Sequence, residues 1–328
     1  MAREGARLSY DPAGPDHALR AALQELRTGR WMAMRALLAE TTRGWEWTRR
    51  TQVLATVAAG SDVVRAWLTE EPDSVHAAVM QARVGVERAL RAQRERHRRT
   101  HELWIEAWDA AQTATRIAPR DPVPWICLLA LAQLDPEQRW EEHRAAPPGP
   151  LLPPGPWGLL AEAHARDPYN REAHHRMLQF LYARGGSDRL TEAAGYAQWA
   201  AAEAPPGSAV HLLPLYVRVE RYRRSSGYDA ALDLHWVADD ATREARHGLR
   251  SWFDRAPHAE ASPLDLNHLA HALWGALLFP DAARVFEAIG PYVTPAPWMY
   301  RTPDRGRAVE VFTQARDRCR AAADDPRP

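Results

Sequence analysis

One short phrase returns along this chain: an alanine, a proline five residues later, then a polar turn and a fresh apolar-periodic run. It reads Ala114-Thr115-Arg116-Ile117-Ala118-Pro119, Ala163-His164-Ala165-Arg166-Asp167-Pro168 and Ala200-Ala201-Ala202-Glu203-Ala204-Pro205. A looser copy, Trp67-Leu68-Thr69-Glu70-Glu71-Pro72, precedes them. Proline removes a backbone donor and clashes with the preceding turn, so each phrase marks the end of a helix. Self-similarity at a spacing of tens of residues is the signature of stacked supersecondary units. Prolines 72, 119, 168 and 205 lie 47, 49 and 37 residues apart, which predicts helical hairpins of unequal length.

The rest of the pattern is helical too. Val75, Val79, Ala82, Val86 and Ala89 share one helical face, as do Leu212, Tyr216 and Val219, and Leu269, Leu273 and Ala276. These spacings of three and four are helix periods, and no alternating strand or Asn-Gly hairpin signal interrupts them. Asp121-Pro122, Asp135-Pro136, Ser262-Pro263 and Thr302-Pro303 each set a capping oxygen before a proline suited to the first helical position. Gln138 adds a capping box to Asp135. Asn170 is expected to cap a helix through His174, Met177 and Leu181, ended by Gly185-Gly186. The expectation is one all-α repeat domain over residues 1–328, an α-solenoid. Its candidate sub-boundary is the segment 145–156, where prolines 147, 148, 150, 153, 154 and 156 favour extended backbone. We read that segment as a packed crossover rather than a linker.

The last hairpin, Leu266 to Pro295, has tetratricopeptide spacing, with Leu266, Leu269, Ala270, Leu273, Ala282, Phe286 and Ile289 at packing positions. The stretch Arg166-Asp167-Pro168-Tyr169-Asn170-Arg171-Glu172-Ala173-His174 is similar to the tetratricopeptide helix-turn-helix junction. The chain thus resembles tetratricopeptide-like repeat proteins. Its layout, with Gly185-Gly186-Ser187 before an alanine-rich helix, also resembles an uncharacterised bacterial domain family of unknown function. The resemblance implies a superhelix with a concave binding face and carries no catalytic residues.

Composition removes several functions. All 42 basic residues are arginine, so no lysine exists to form a Schiff base or to serve a phosphate-binding loop. The formal net charge of zero gives no global field towards nucleic acid or membrane. No apolar run reaches the roughly 18 residues that span a bilayer. Met1-Ala2-Arg3-Glu4-Gly5 lacks the apolar core of a signal peptide, which, with only two cysteines, suggests the cytoplasm. Cys127, within Trp125-Ile126-Cys127-Leu128-Leu129, reads as a small core residue rather than a nucleophile.

The candidate chemistry is sparse. The 14 tryptophans, from Trp31 to Trp298, read as fillers between helices before they read as an aromatic cage. His97 and His101 stand four apart on an expected helix, yet among cations that oppose a metal ion. Asp167, His174 and His175 surround one helix junction, and they are the best acid–base candidates. Arg83 to Arg99 holds seven arginines and two glutamates, a surface for phosphate if it is free. Arg171, Arg176, Arg218 and Arg221 are the expected ligand clamps, because guanidinium presents a planar donor fork. The leading expectation is a non-enzymatic scaffold for a peptide or protein partner, without metal or cofactor. An enzyme acting near residues 164–175 and a nucleic-acid binder using helix 83–99 are the alternatives.

Overall fold

The computed structural model describes residue 8 and residues 10–225, 234–257 and 260–324. Met1–Gly5, read above for a leader, lie outside the described residues. Every regular element among the described residues is helical, and one isolated antiparallel bridge joins Ala145 to Gly155. The α-helices are α1 (His17–Arg27), α2 (Met32–Glu40), α3 (Gly44–Ala58), α4 (Val63–Glu70), α5 (Val75–Arg94), α6 (Thr100–Ile117), α7 (Pro122–Leu131), α8 (Trp157–Arg166), α9 (Arg171–Ala183) and α10 (Arg189–Glu203). They continue as α11 (Leu213–Arg224), α12 (Asp239–Gly248), α13 (Pro263–Gly275), α14 (Phe279–Ile289) and α15 (Ala308–Asp324). No described helix is long and apolar enough to cross a membrane.

The chain divides into two compact units: a larger one, Asp16–Tyr196, and a smaller one, Ala197–Pro328 with Met1–Pro15. The division falls within α10. The proline-rich segment 145–156 lies inside the larger unit. There Leu152 is buried, Trp157 Nε1 donates to the Pro153 carbonyl, and a Cβ on Gly155 would stand 3.0 Å from Met177 Cε. The segment is therefore packed against its own unit.

The recurrent phrase becomes one repeated piece of geometry in the larger unit. Glu71, Ala118 and Asp167 each precede the proline of their phrase. Their φ angles are −129°, −124° and −146°, and their ψ angles 74°, 66° and 90°. Steric conflict with the proline ring pushes them out of the helical region. Each still donates its N–H to the carbonyl of Trp67, Ala114 or Ala163, the residue five before the proline. The carbonyls of Glu71, Ala118 and Asp167 then accept from the N–H of Ser74, Asp121 and Asn170, at 3.1, 3.0 and 3.1 Å. Those three residues cap the next helix, accepting from the N–H of Ala77, Val123 and Ala173. Ala114 and Ala163 are fully buried, so the repeated alanine sits where helices approach closely. Trp67 fills the same position in the loose copy and stacks on Trp31 at 5.5 Å. The fourth phrase, at Pro205 in the smaller unit, leads instead into a 3-10 turn, Ala209–Leu212, capped by Ser208.

Helices α13 and α14 form the expected last hairpin, and all seven of its packing residues enter one apolar cluster with Trp298 and Phe312. Asn170 caps α9 as anticipated, and Ser262-Pro263 opens α13, although the Ser262 side chain makes no capping hydrogen bond. Two anticipated starts fail. Asp135 caps no helix: its carboxylate accepts from the N–H groups of Arg139 and Trp140 and bonds His143 Nδ1, closing a turn. Gln138 has φ +53° and donates to the His143 carbonyl, so no capping box forms. Thr302 caps no helix: Asp304 captures the Gly306 N–H and caps the 3-10 turn Arg305–Arg307, which runs directly into α15.

Candidate binding cleft

Two successive copies of the junction, with α3 between them, build an open cleft of about 370 Å³ in the larger unit. The first copy delivers Val75 and His76 from the opening turn of α5. The second delivers Ala118, Pro119, Arg120 and Asp121, and Thr41 and Trp47 complete the lining. The junction geometry decides this placement, since a capped helix start exposes the residues immediately around its cap.

Asp121 has two tasks. Its Oδ1 caps α7 through the Val123 N–H at 2.8 Å, and its Oδ2 accepts from Trp47 Nε1 at 2.9 Å. Burial pushes this carboxyl above its ordinary range, although the two hydrogen bonds and Arg83 pull the other way. His76 faces the Trp47 indole at 5.1 Å. Burial pulls its imidazole below the ordinary range, with Asp121 opposing. The half-buried carboxyl, imidazole and indole thus line one mouth with the exposed Val75, Pro119 and Arg120.

Directly behind, α3 joins the cleft to a buried charged network. Trp47 is followed by Thr48, whose carbonyl accepts from Arg83 Nη2 at 3.2 Å, and by Thr51, whose hydroxyl accepts from Arg83 Nε at 3.3 Å. Arg83 Nη1 donates to Glu172 Oε1 at 2.6 Å, and Arg176 donates to the same oxygen through Nε and Nη2 at 3.1 and 2.9 Å. Both Arg83 and Glu172 are buried. Burial opposes both charges, but Arg83 and Arg176 hold Glu172 below the usual carboxylate range, and Glu172 raises Arg83 in turn. Asn170 extends the network, donating to Thr48 Oγ1 and to Asp167 Oδ2.

The residues expected from sequence occupy other roles. Asp167 engages Asn170, whereas the His174 Nδ1 bonds Tyr196 Oη at 2.7 Å, so no hydrogen bond couples His174 to Asp167. Burial, then His164, lowers the His174 imidazole to about 4. His175, Arg171 and Arg221 are half-buried. Arg176 pairs with Glu172 and Glu87, and Arg218 with Asp240 and Glu244. Three arginines of the basic stretch are engaged, Arg83 inside the network, Arg88 on the carbonyls of Ala59 and Ser61, and Arg99 on Glu102 and Glu106, whereas Arg94, Arg96 and Arg98 are exposed. His97 lies in the turn between α5 and α6, not on one helix with His101, which corrects the metal spacing. Among the described residues no group of three or more His, Cys, Asp or Glu could hold a metal. Cys127 is buried, and burial pushes its thiol up to about 12. Trp104, Trp108 and Trp140 pack on one another at centroid distances of 4.5–5.6 Å.

Sequence reasoning missed the cleft itself. Asp121 was visible only as a cap and Trp47 only as one indole among many. The available signal was that two consecutive phrases each end in a capping residue beside a side chain with chemistry.

No protein-family model matches the chain, nor does any curated protein or solved structure.

Proposed function

We propose that this chain is a tetratricopeptide-like helical scaffold that binds a peptide or protein segment in the cleft of Trp47, His76 and Asp121. The observation that carries the reading is the pairing of an apolar wall with half-buried polar groups in an open cleft. Trp47, Val75 and Pro119 suit one inserted apolar side chain. Asp121 and His76 suit an adjacent hydrogen-bond donor, and Arg120 stands at the rim for a carboxylate. Asp121 is engaged by its cap and by Trp47, which favours recognition over proton transfer. The internal pairing of Arg83, Arg88 and Arg99 weakens the nucleic-acid alternative, and the separation of His174 from Asp167 weakens the enzymatic one.

A random peptide library displayed on its encoding messenger RNA and selected against the purified protein tests this. One family of sequences should enrich, and its binding should weaken on the order of tenfold, about 1.4 kcal/mol, in Val75→Arg and His76→Ala. No enrichment, or enriched peptides indifferent to both changes, overturns the reading.

A further inference from the structure

The smaller unit carries a hydrogen-bonded chain of side chains that the cleft does not use. Ser251 Oγ lies 3.3 Å from His247 Nδ1, His247 Nε2 lies 3.1 Å from His211 Nδ1, and His211 Nε2 lies 3.0 Å from the Pro205 carbonyl. A carbonyl only accepts, so the His211 proton is on Nε2. His211 Nδ1 is then the acceptor, and His247 Nε2–H is its donor. That leaves a lone pair on His247 Nδ1 facing the Ser251 hydroxyl, which donates. One assignment of protons satisfies all three contacts.

Burial is graded along the same line. His211 is buried, Ser251 half-buried and His247 exposed. Burial holds the His211 imidazole below its ordinary range and His247 lowers it further, while the carbonyls of Pro205 and Ala201 pull the other way. The lowered value favours the neutral ring, which keeps its accepting lone pair. The backbone fixes the serine as well. Ser251 lies in a π-helical segment, Leu249–Phe253, where Asp254 N–H reaches the Leu249 carbonyl. The Ser251 carbonyl accepts from Gly207 N–H at 2.7 Å. Gly207 has φ +89°, a conformation side chains rarely adopt, so this pin favours glycine. Wide turns of this kind recur where a helix presents a functional group.

We propose that Ser251 is a nucleophile, with His247 its base and His211 a positioning residue, and that it takes the acyl group of an ester. The arrangement has the order that activates a hydroxyl: nucleophile, base, and a group fixing the tautomer of the base. Ser251 Oγ bonds to the ester carbonyl carbon as its proton passes to His247 Nδ1. The carbon–oxygen bond to the alcohol breaks, and the alcohol leaves with that proton. Water then attacks the acyl-serine, giving its proton to His247. The bond to Oγ breaks, Ser251 recovers a proton, and a carboxylic acid is released. A neutral His211 supports the developing imidazolium less than a carboxylate does, so slow turnover of activated esters is the expected activity.

The test uses the full chain, an alkyl fluorophosphonate and p-nitrophenyl acetate. Intact mass and peptide mapping should show one phosphonyl adduct, on Ser251, and none on the exposed Ser187. Ester hydrolysis should vanish in Ser251→Ala and fall on the order of a hundredfold in His247→Ala. His211→Phe should fall likewise, whereas His211→Asn, which restores an acceptor at the Nδ1 position, should recover most of the rate. Circular dichroism identifies any variant that has failed to fold. Labelling spread over several serines, or a labelling rate unchanged in folded His247→Ala, overturns the proposal.

Discussion

Two arginines, one in each unit, are held in opposite ways: Arg83, which is buried, and Arg301, which is half-buried. In the larger unit Arg83 is fixed by a carboxylate, Glu172, with Arg176 on the same oxygen. In the smaller unit the Arg301 guanidinium lies over the rings of Tyr222, Trp236 and Trp274, at 5.3, 5.4 and 4.9 Å, and donates to His271 Nε2 at 3.0 Å. The first solution concentrates attraction in one ion pair, which must repay the desolvation of both charges. The second spreads a weaker attraction over several faces and relies on a neutral imidazole. Burial pulls His271 well below the ordinary range, and Arg301 and His268 deepen the shift. The difference teaches where each setting is brittle: that of Arg83 to loss of a single partner, that of Arg301 to gradual erosion.

The largest effect is expected from Glu172→Ala, which strands Arg83 in the interior. It should cost about 3–5 kcal/mol in denaturant unfolding, while the double change Arg83→Met with Glu172→Leu recovers most of that. A single change no worse than the double one would remove the contrast between the two settings.

Acid sharpens the comparison next. His174 has a folded value of about 4 against an ordinary 6.5. Between these values the unfolded chain binds a proton that the folded chain excludes, so stability falls as pH drops from 6.5 towards 4. The share of this one group is on the order of 3 kcal/mol. His174→Gln keeps an acceptor for Tyr196 without titrating, and it should flatten that slope in urea melts repeated across the window. His271 acts with the same sign in the smaller unit, so some slope should persist.

Arg301→Leu should give the smallest effect, about 1–2 kcal/mol, because three rings share the lost contact. A loss matching that of Glu172→Ala would show that the aromatic setting is as brittle as the ion pair.

Helices and their punctuation were legible because they depend on local chemistry. The residue before a proline is sterically confined, and Ser74, Asp121 and Asn170 cap over two or three residues. Asp135 and Thr302 carried the same signal and misled, because nearby N–H groups drew the Asp135 and Asp304 carboxylates into turns. The cleft was illegible because its members come from α3, α5 and the start of α7, and only packing joins them. Arg83 shows the limit most clearly. It lies in a run of arginines that reads as surface, yet its ion-pair partner is 89 residues away. Nothing local separates it from Arg91 or Arg94.

The central claim is that two consecutive junction phrases build the binding cleft. The most direct measurement is photo-crosslinking of a selected peptide carrying a benzophenone at its apolar position, with the adduct mapped by peptide mass spectrometry. The account predicts attachment within residues 41–47, 75–76 or 118–121, abolished by excess unmodified peptide. Competed attachment elsewhere on the chain would contradict it.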